Sequence, residues 1–386
     1  MALRNDRTPV YFPGLGALRF LAAAIVFFSH IELFRRRAGL EHHYDHIFVS
    51  EAGRLAVSFF FVLSGFLITF LLLKERASAG AIHIGKFYWR RVLRIWPMYF
   101  VVLALAFFVF PQLVSAAGLR ETEMPAAHFP GNLLLFVFLL PNLALSIWPP
   151  VALAEPLWSI GVEEQFYLIW PWLVKLLRKS LPFVLVFLLI FIPLLRCWLG
   201  YQCSQTADPV LYRKWSVAFS FIYYSRIECM AAGALAAWCL FEQKALRILF
   251  HPLMQALAAA GLIVLLVIMK APVYQHLPFA GCFAILMLNI AANPKSLLRL
   301  NFVAGDRLGN CSYAFYLLHE IVILSCLWLF RNVIGADLND GAGEILFTLT
   351  AFGLTLLLSW IAYRFFEKLF LDRKKKWQVV PSGSQQ

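Results

Sequence analysis

One histidine in this sequence stands in unusual company. His30 closes the apolar run GLGALRFLAAAIVFFSH at 14–30, whose other strongly polar side chain is Arg19. At ~100° and ~1.5 Å per residue, that separation puts both on nearly one helical face, ~16 Å apart along the axis. An imidazole titrating near neutrality can take a proton from a hydroxyl, and a guanidinium on the same stripe can hold an anion. Ionisable groups are costly in lipid, so this stripe is expected to face a protein interior or a wet cavity.

Other polar groups recur in apolar surroundings. Arg90, Arg91 and Arg94 lie in FYWRRVLRIWPMY, with Arg91 and Arg94 at the i, i+3 spacing that puts two forked guanidinium groups on one face. Such a pair suits a phosphate-rich ligand, and it equally suits an anchor to anionic lipid head groups. Glu163 and Tyr167 stand at i, i+4 in PLWSIGVEEQFYLIWP, beside Glu164. Carboxylates there must be wet or paired, so Glu163 reads either as the ion-pair partner of an arginine or as a catalytic or substrate-orienting group. Tyr313, Tyr316 and His319 follow one another at helical spacing in CSYAFYLLHE, a polar stripe that lines the same cavity or merely packs.

Two further patterns are discounted. Ser64-Gly65 in FFFVLSGFLIT has the look of an intramembrane serine protease, with His319 as its base, but the glycine required two residues earlier is Val62. Gly65 is therefore expected to permit a close helix contact and Ser64 to make a local hydrogen bond near the cavity. His42, His43, Asp45 and His46 share one loop, and their spacing fits no standard zinc pattern. A solvated loop is expected there, and no metal.

The elements that must carry these groups are membrane helices. The chain has 386 residues, 61% hydrophobic and 14% charged, with a mean hydropathy of +0.74, far from an ordinary soluble domain. Apolar runs near the ~20 residues needed to cross a bilayer alternate with short polar connectors. The expectation is an all-α integral membrane protein, one polytopic bundle of about ten helices at about 15–33, 55–73, 97–115, 157–177, 181–199, 217–240, 253–270, 276–292, 309–330 and 344–366. The stretch 131–150 is short and broken by Pro141, Pro149 and Pro150, so it is read as a re-entrant or broken helix.

The net charge of +13 resides largely in loops flanking apolar runs, which is topology and not a nucleic-acid surface. The densest basic connector, 74–94, is placed in the cytoplasm, and both termini with it. The loop holding Glu121, Glu123 and His128 is then outside; Arg35, Arg36 and Arg37 conflict with this scheme, since they too fall outside. A single domain is expected over 1–372, followed by a basic, disordered cytoplasmic tail at 373–386. The N-terminus, with Arg4, Asp6 and Arg7 before the first apolar run, reads as lacking a cleavable signal. Five cysteines fall in apolar runs and read as packing residues; Cys197 and Cys203 bracket an expected external loop, where a disulfide is left open.

Taken in order, Arg19 to His30, FFFVLSGFLIT at 59–69, RRVLRIWPMY at 90–99, LWSIGVEEQFYLIWP at 157–171 and SYAFYLLH at 312–319 resemble the membrane-bound acyltransferase 3 family of bacterial O-acyltransferases. The resemblance covers about residues 12–366. It implies a ten-helix bundle of the inner membrane that takes an acyl group, usually acetyl, from cytoplasmic acetyl-CoA as co-substrate and delivers it to a hydroxyl of a glycan or lipid-linked saccharide. It assigns His30 as the essential histidine, Arg19 as its paired arginine, Arg91 and Arg94 as the RxxR pair, and Glu163 as the motif acid. Arg90 would assist the arginine pair, and Ser64, Tyr167, Tyr313 and His319 would line the cavity. Many relatives carry a hydrolase-like domain after the bundle, and this chain reads as a stand-alone form. In the resulting scheme His30 acts as general base or transient acyl acceptor, with Glu163 orienting its ring. The competing classes are a transporter or flippase for an anionic lipid-linked glycan, and an intramembrane hydrolase or polymerase of surface glycans.

Overall fold

The computed structural model describes residues 10–111, 126–268, 276–300 and 302–381. Among these residues the protein is 82% helical, without a strand. In chain order the helices are α1 (Leu15–Arg37), α2 (Ile47–Ala79), α3 (Ile84–Ala104), α4 (Phe129–Val137), α5 (Pro141–Ile147), α6 (Leu157–Leu176), α7 (Leu181–Gln205) and α8 (Pro209–Ser225). They continue as α9 (Ile227–Glu242), α10 (Pro252–Ile268), α11 (Leu277–Ala292), α12 (Val303–Leu329), α13 (Gly341–Ile361) and α14 (Lys368–Lys374). Six helical stretches, counting the π-turns that extend α3, α12 and α13, are long and apolar enough to cross a membrane, and α10 and α11 are shorter apolar helices. The protein is a multi-pass membrane protein.

α2 is the central post. Its apolar window is 78% buried, against 22% for α7, whose Phe183, Phe187, Ile190 and Leu194 face outward. α2 packs most closely on α9, and the reason is two glycines: a Cβ at Gly65 would overlap the Met230 carbonyl, and one at Gly233 the Val62 carbonyl. The expected close contact at Gly65 is therefore present. α1 lies between α2 and α12, so its polar stripe faces protein.

Each expected span has a helical counterpart, with three differences of substance. The third begins at Ile84 and not near 97, which brings the arginine cluster from a connector into the helix. The expected span 217–240 is two helices, α8 and α9, parted at Arg226 with φ 42° and ψ 37°. Tertiary bonds hold that break: buried Arg226 donates to Arg54 O at 2.7 Å and Ser58 Oγ at 2.8 Å, with its guanidinium 5.2 Å from the Trp158 ring centroid. Third, Cys197 and Cys203 both lie within α7 as free thiols. Six helical residues separate their Cα atoms by ~9 Å, beyond disulfide reach, because the helix continues through the expected loop. The broken reading of 131–150 holds, as α4 and α5 joined through Leu139 at φ 60°.

The remaining expectations resolve locally. Arg35 pairs with Glu344 at 3.1 Å, Arg36 with Asp45 at 3.3 Å and Arg37 with Glu155 at 2.8 Å, so that basic run is matched by acids and lies at a helix C-terminus, where the dipole favours cations. Asp45 is thereby taken, and His46 stacks on Phe48; the four-residue polar loop does not converge on a metal-like centre. Within the expected disordered tail at 373–386, residues 373–377 are helical, as the end of α14 and a 3₁₀ turn at Lys375–Trp377. Glu121, Glu123 and 382–386 lie outside the described residues.

Candidate active site

His30 projects from α1 against the middle of α12, where it meets two buried groups. Its Nδ1 lies 3.0 Å from His319 Nε2 and 3.0 Å from Glu320 Oε1. The neighbours decide the proton positions. His319 Nδ1 donates to Tyr316 O at 2.6 Å, which leaves its Nε2 as an acceptor. His30 Nδ1 must then carry the hydrogen, donated to His319 Nε2, with the Glu320 carboxylate at ion-pair distance from the same nitrogen. That leaves the Nε2 lone pair of His30 free to act as a base. His30 is 22% exposed while Glu320 is fully buried, so the free nitrogen belongs to the accessible side of the group. The ligand-type atoms of His30, His319 and Glu320 lie within 4.8 Å of one another, a set that could hold a metal; His319 is hydrogen-bonded to His30, and Glu320 stands at ion-pair distance from the same nitrogen.

At the other end of the α1 stripe, Arg19 meets Arg91 and Arg94 of α3. The three line two cavities at once, one of about 310 Å³ and one of about 110 Å³. No ion pair within 4 Å is formed by any of the three among the described residues. Arg91 is held by rings, 5.6 Å from the centroids of both Phe87 and Tyr167, and its buried Nε has no hydrogen-bond partner. In the larger cavity the carboxylate is Asp306, which already accepts from the Tyr11 hydroxyl at 2.6 Å. Burial, and then that carboxylate, push the Tyr11 pKa up to about 12, so it stays a donor. Three guanidinium groups without ion pairs are an arrangement that could hold an anion of more than one charge.

The smaller cavity leads from the arginines toward His30. Ser64, Glu163, Tyr167 and Tyr313 all line it. Ser64 Oγ donates to Glu163 Oε1 at 2.5 Å and Tyr167 OH to Glu163 Oε2 at 3.1 Å; Tyr313 OH donates to Ile95 O at 2.8 Å, tying α12 to α3. Ser64 therefore bonds across the bundle and not locally. At the far end, Ser159 Oγ donates to Pro156 O at 3.0 Å and so accepts from Tyr316 OH at 2.9 Å. The Tyr316 ring is 5.8 Å from that of His319, which is 4.9 Å from that of His30. One residue layer thus separates the cavity from the imidazole pair.

The structure brings Arg19, Arg91, Arg94, Ser64, Glu163, Tyr167 and Tyr313 together around two cavities that share the arginines in their linings, and joins His319 to His30. It sets two residues apart from their expected roles. Arg90 does not line these cavities: it pairs with Glu75 at 2.9 Å and donates to Trp377 O at 2.9 Å. The carboxylate against the His30 ring is Glu320, while Glu163 is engaged by Ser64 and Tyr167. Glu320 was missed although it follows His319 directly; an acid inside an apolar helix was the available signal.

The sequence matches the acyltransferase 3 family, described as an acyltransferase domain, over residues 12–364. It is similar to a peptidoglycan O-acetyltransferase, OatA, of Listeria monocytogenes serovar 1/2a (strain ATCC BAA-679 / EGD-e), 26% identical over 338 residues that make up 81% of this chain and 49% of that protein. A putative O-acetyltransferase of Staphylococcus aureus (strain COL) is 31% identical over 172 residues, 42% of this chain and 24% of that one. The O-acetyltransferase OatA of Staphylococcus aureus (strain NCTC 8325 / PS 47) is 27% identical over 179 residues, 45% and 26% respectively. The matched regions span about half or less of these relatives' lengths, and no solved structure matches the chain. The family match spans the helices that carry both ends of the α1 stripe: the chain belongs to the acyltransferase 3 family.

Proposed function

We propose that the protein is an O-acyltransferase that moves an acetyl group from cytoplasmic acetyl-CoA to a hydroxyl of a cell-surface glycan on the far side of the bacterial inner membrane, with both termini in the cytoplasm. The observation that carries this reading is the geometry of α1: a cluster of unpaired arginines at one end, a histidine with a free ring nitrogen at the other, and a small cavity that runs from the arginines to within one residue layer of the imidazoles. The relatives' names, O-acetyltransferases and in one case a peptidoglycan O-acetyltransferase, support acetyl as the acyl group and a glycan as the acceptor class.

Arg91 and Arg94, with Arg19, would hold the donor's pyrophosphate; a buried guanidinium Nε without a partner and the absence of a neutralising ion pair among the described residues fit that anion. The narrow acyl-bearing arm fits the smaller cavity, past Ser64, Glu163, Tyr167 and Tyr313 toward the Tyr316–Ser159 pair. The chemistry then belongs to His30. Its Nε2 takes the proton of the acceptor hydroxyl as the oxygen attacks the thioester carbonyl; the C–S bond breaks, and the proton passes to the departing thiolate. His319 and Glu320 hold the imidazole in the tautomer this requires, and Glu320 stabilises the transient imidazolium. No metal enters this scheme.

The experiment is transfer of label from radiolabelled acetyl-CoA in membranes containing the protein. Label should appear in extracted glycan and depend on His30, with His30→Ala lowering transfer at least 100-fold while the protein stays folded in the membrane. Glycan movement without consumption of acetyl-CoA would favour a transporter, and full transfer by His30→Ala would remove the base from this scheme.

A further inference from the structure

By sequence alone the basic run at 373–376 is a topological signal in a tail expected to be disordered, and the structure gives one of its residues a different place. Lys374, the last residue of α14, lines the 310 Å³ cavity together with Arg19, Arg91 and Arg94. Its neighbours are otherwise employed. Arg373 and Lys376 are exposed, and Lys375 turns back to Asp372 at 2.8 Å. Lys374 has no ion-pair partner among the described residues.

The segment carrying it is fixed to the body of the protein at three points. The Trp377 ring stacks on Trp89 at 6.0 Å between centroids and 22° between planes. The Trp377 carbonyl accepts from Arg90 Nη1 at 2.9 Å, and the Pro381 carbonyl from the Val10 N–H at 2.8 Å. The bonds of Arg90 now have a purpose, since it holds the tail against α3 and leaves the ligand to Arg91 and Arg94. Placing a fourth basic group beside three guanidinium groups, with Asp306 as the carboxylate in that lining, is unfavourable for its charged form, and a bound anion would relieve that cost.

The order of groups along the two cavities says which anion. Arg19, Arg91 and Arg94 line both cavities, whereas Lys374 lines only the larger one. In a CoA thioester the acyl group and its arm come first, then the pyrophosphate, and then the ribose with its 3′-phosphate. With the acyl arm in the smaller cavity and the pyrophosphate on the arginines at the junction, the ribose end remains in the larger cavity. We propose that Lys374 is the ligand of the donor's 3′-phosphate, carried to it by a C-terminal segment that caps the cavity. This rests on the reading of the donor as acyl-CoA, and the shared chemistry, a phosphate monoester, is also offered by some lipid head groups.

The test uses the full chain in nanodiscs, with two donors, acetyl-CoA and acetyl-3′-dephospho-CoA, and two probes, 3′,5′-ADP and 5′-ADP. For the wild type the 3′-phosphate should lower KM about tenfold, the contribution of one charge-assisted hydrogen bond. Lys374→Ala should erase that ratio by raising KM for acetyl-CoA alone, leave kcat unchanged, and weaken 3′,5′-ADP but not 5′-ADP. Arg373→Ala, outside the cavity, should do none of this, whereas Arg91→Ala should raise KM for both donors. Equal KM increases for both donors in Lys374→Ala, or none, would overturn the assignment while leaving the donor reading intact. An effect of Lys374→Ala that disappears when anionic lipid is omitted would also overturn it, by making the lipid head group the ligand. If the wild type used neither donor and bound neither probe, the donor reading and this proposal would fall together.

Discussion

Replacing Glu320 with glutamine tests the relay around His30 most directly. The carboxylate oxygen lies 3.0 Å from His30 Nδ1 and the group is fully buried. Two unit charges at that separation, at an effective dielectric of about 20, attract by about 5.5 kcal/mol. That attraction exists only while the imidazole is protonated, so it acts in the transition state and not in the resting enzyme. Glutamine keeps an acceptor oxygen for the Nδ1 hydrogen but removes the charge. If about half of the attraction is lost, the barrier rises by about 3 kcal/mol and kcat falls on the order of 100-fold. The proposed donor site lies at the other end of α1, so KM for acetyl-CoA should be unchanged. The assay is steady-state transfer from labelled acetyl-CoA by Glu320→Gln in membranes, with protein amount normalised and donor binding checked separately. Glu163→Gln is the comparison, because Glu163 contacts Ser64 and Tyr167 and lies by the donor cavity. A Glu320→Gln enzyme with full kcat, or one that fails through KM alone, would refute the relay; a kcat loss confined to Glu163→Gln would return the orienting role to that residue.

Two other outcomes follow from the same geometry. Arg91→Ala and Arg94→Ala should each weaken acetyl-CoA binding by about ten- to 100-fold with a smaller effect on kcat, measured as KM and by direct binding; an unchanged affinity would make the pair a lipid anchor. Gly233→Ala should destabilise the bundle by about 1–3 kcal/mol, because its Cβ would overlap the Val62 carbonyl and force α2 and α9 apart. Thermal unfolding in detergent checks this against Gly281→Ala, where the added methyl meets open space.

What could be read from the sequence followed from local rules. Hydrophobic run length marked the membrane helices, proline placed the break between α4 and α5, and helical spacing put Arg91 beside Arg94 and Arg19 in line with His30. Each depends on residues a few turns apart, where helix geometry alone relates them. Helix limits were legible only where composition changed, so α3 was begun too late, because arginines and tryptophans can open a membrane helix as readily as they flank it.

The tertiary structure decided the partners. Glu320 lies 290 positions from His30 along the chain, and Glu163 is 99 from Ser64; no period or spacing relates such residues, and both acids present the same buried-carboxylate signal. Packing of α12 on α1 chose Glu320, and the carbonyl of Tyr316 chose the tautomer. The break at Arg226 exists because α2 offers a carbonyl and a hydroxyl to its guanidinium, and Lys374 reaches the cavity because Trp377 finds Trp89. Composition and periodicity determined that polar groups would face inward on membrane helices; which of them meet was set by helix packing, since the cost of burying a charge is relieved only by the particular group that reaches it.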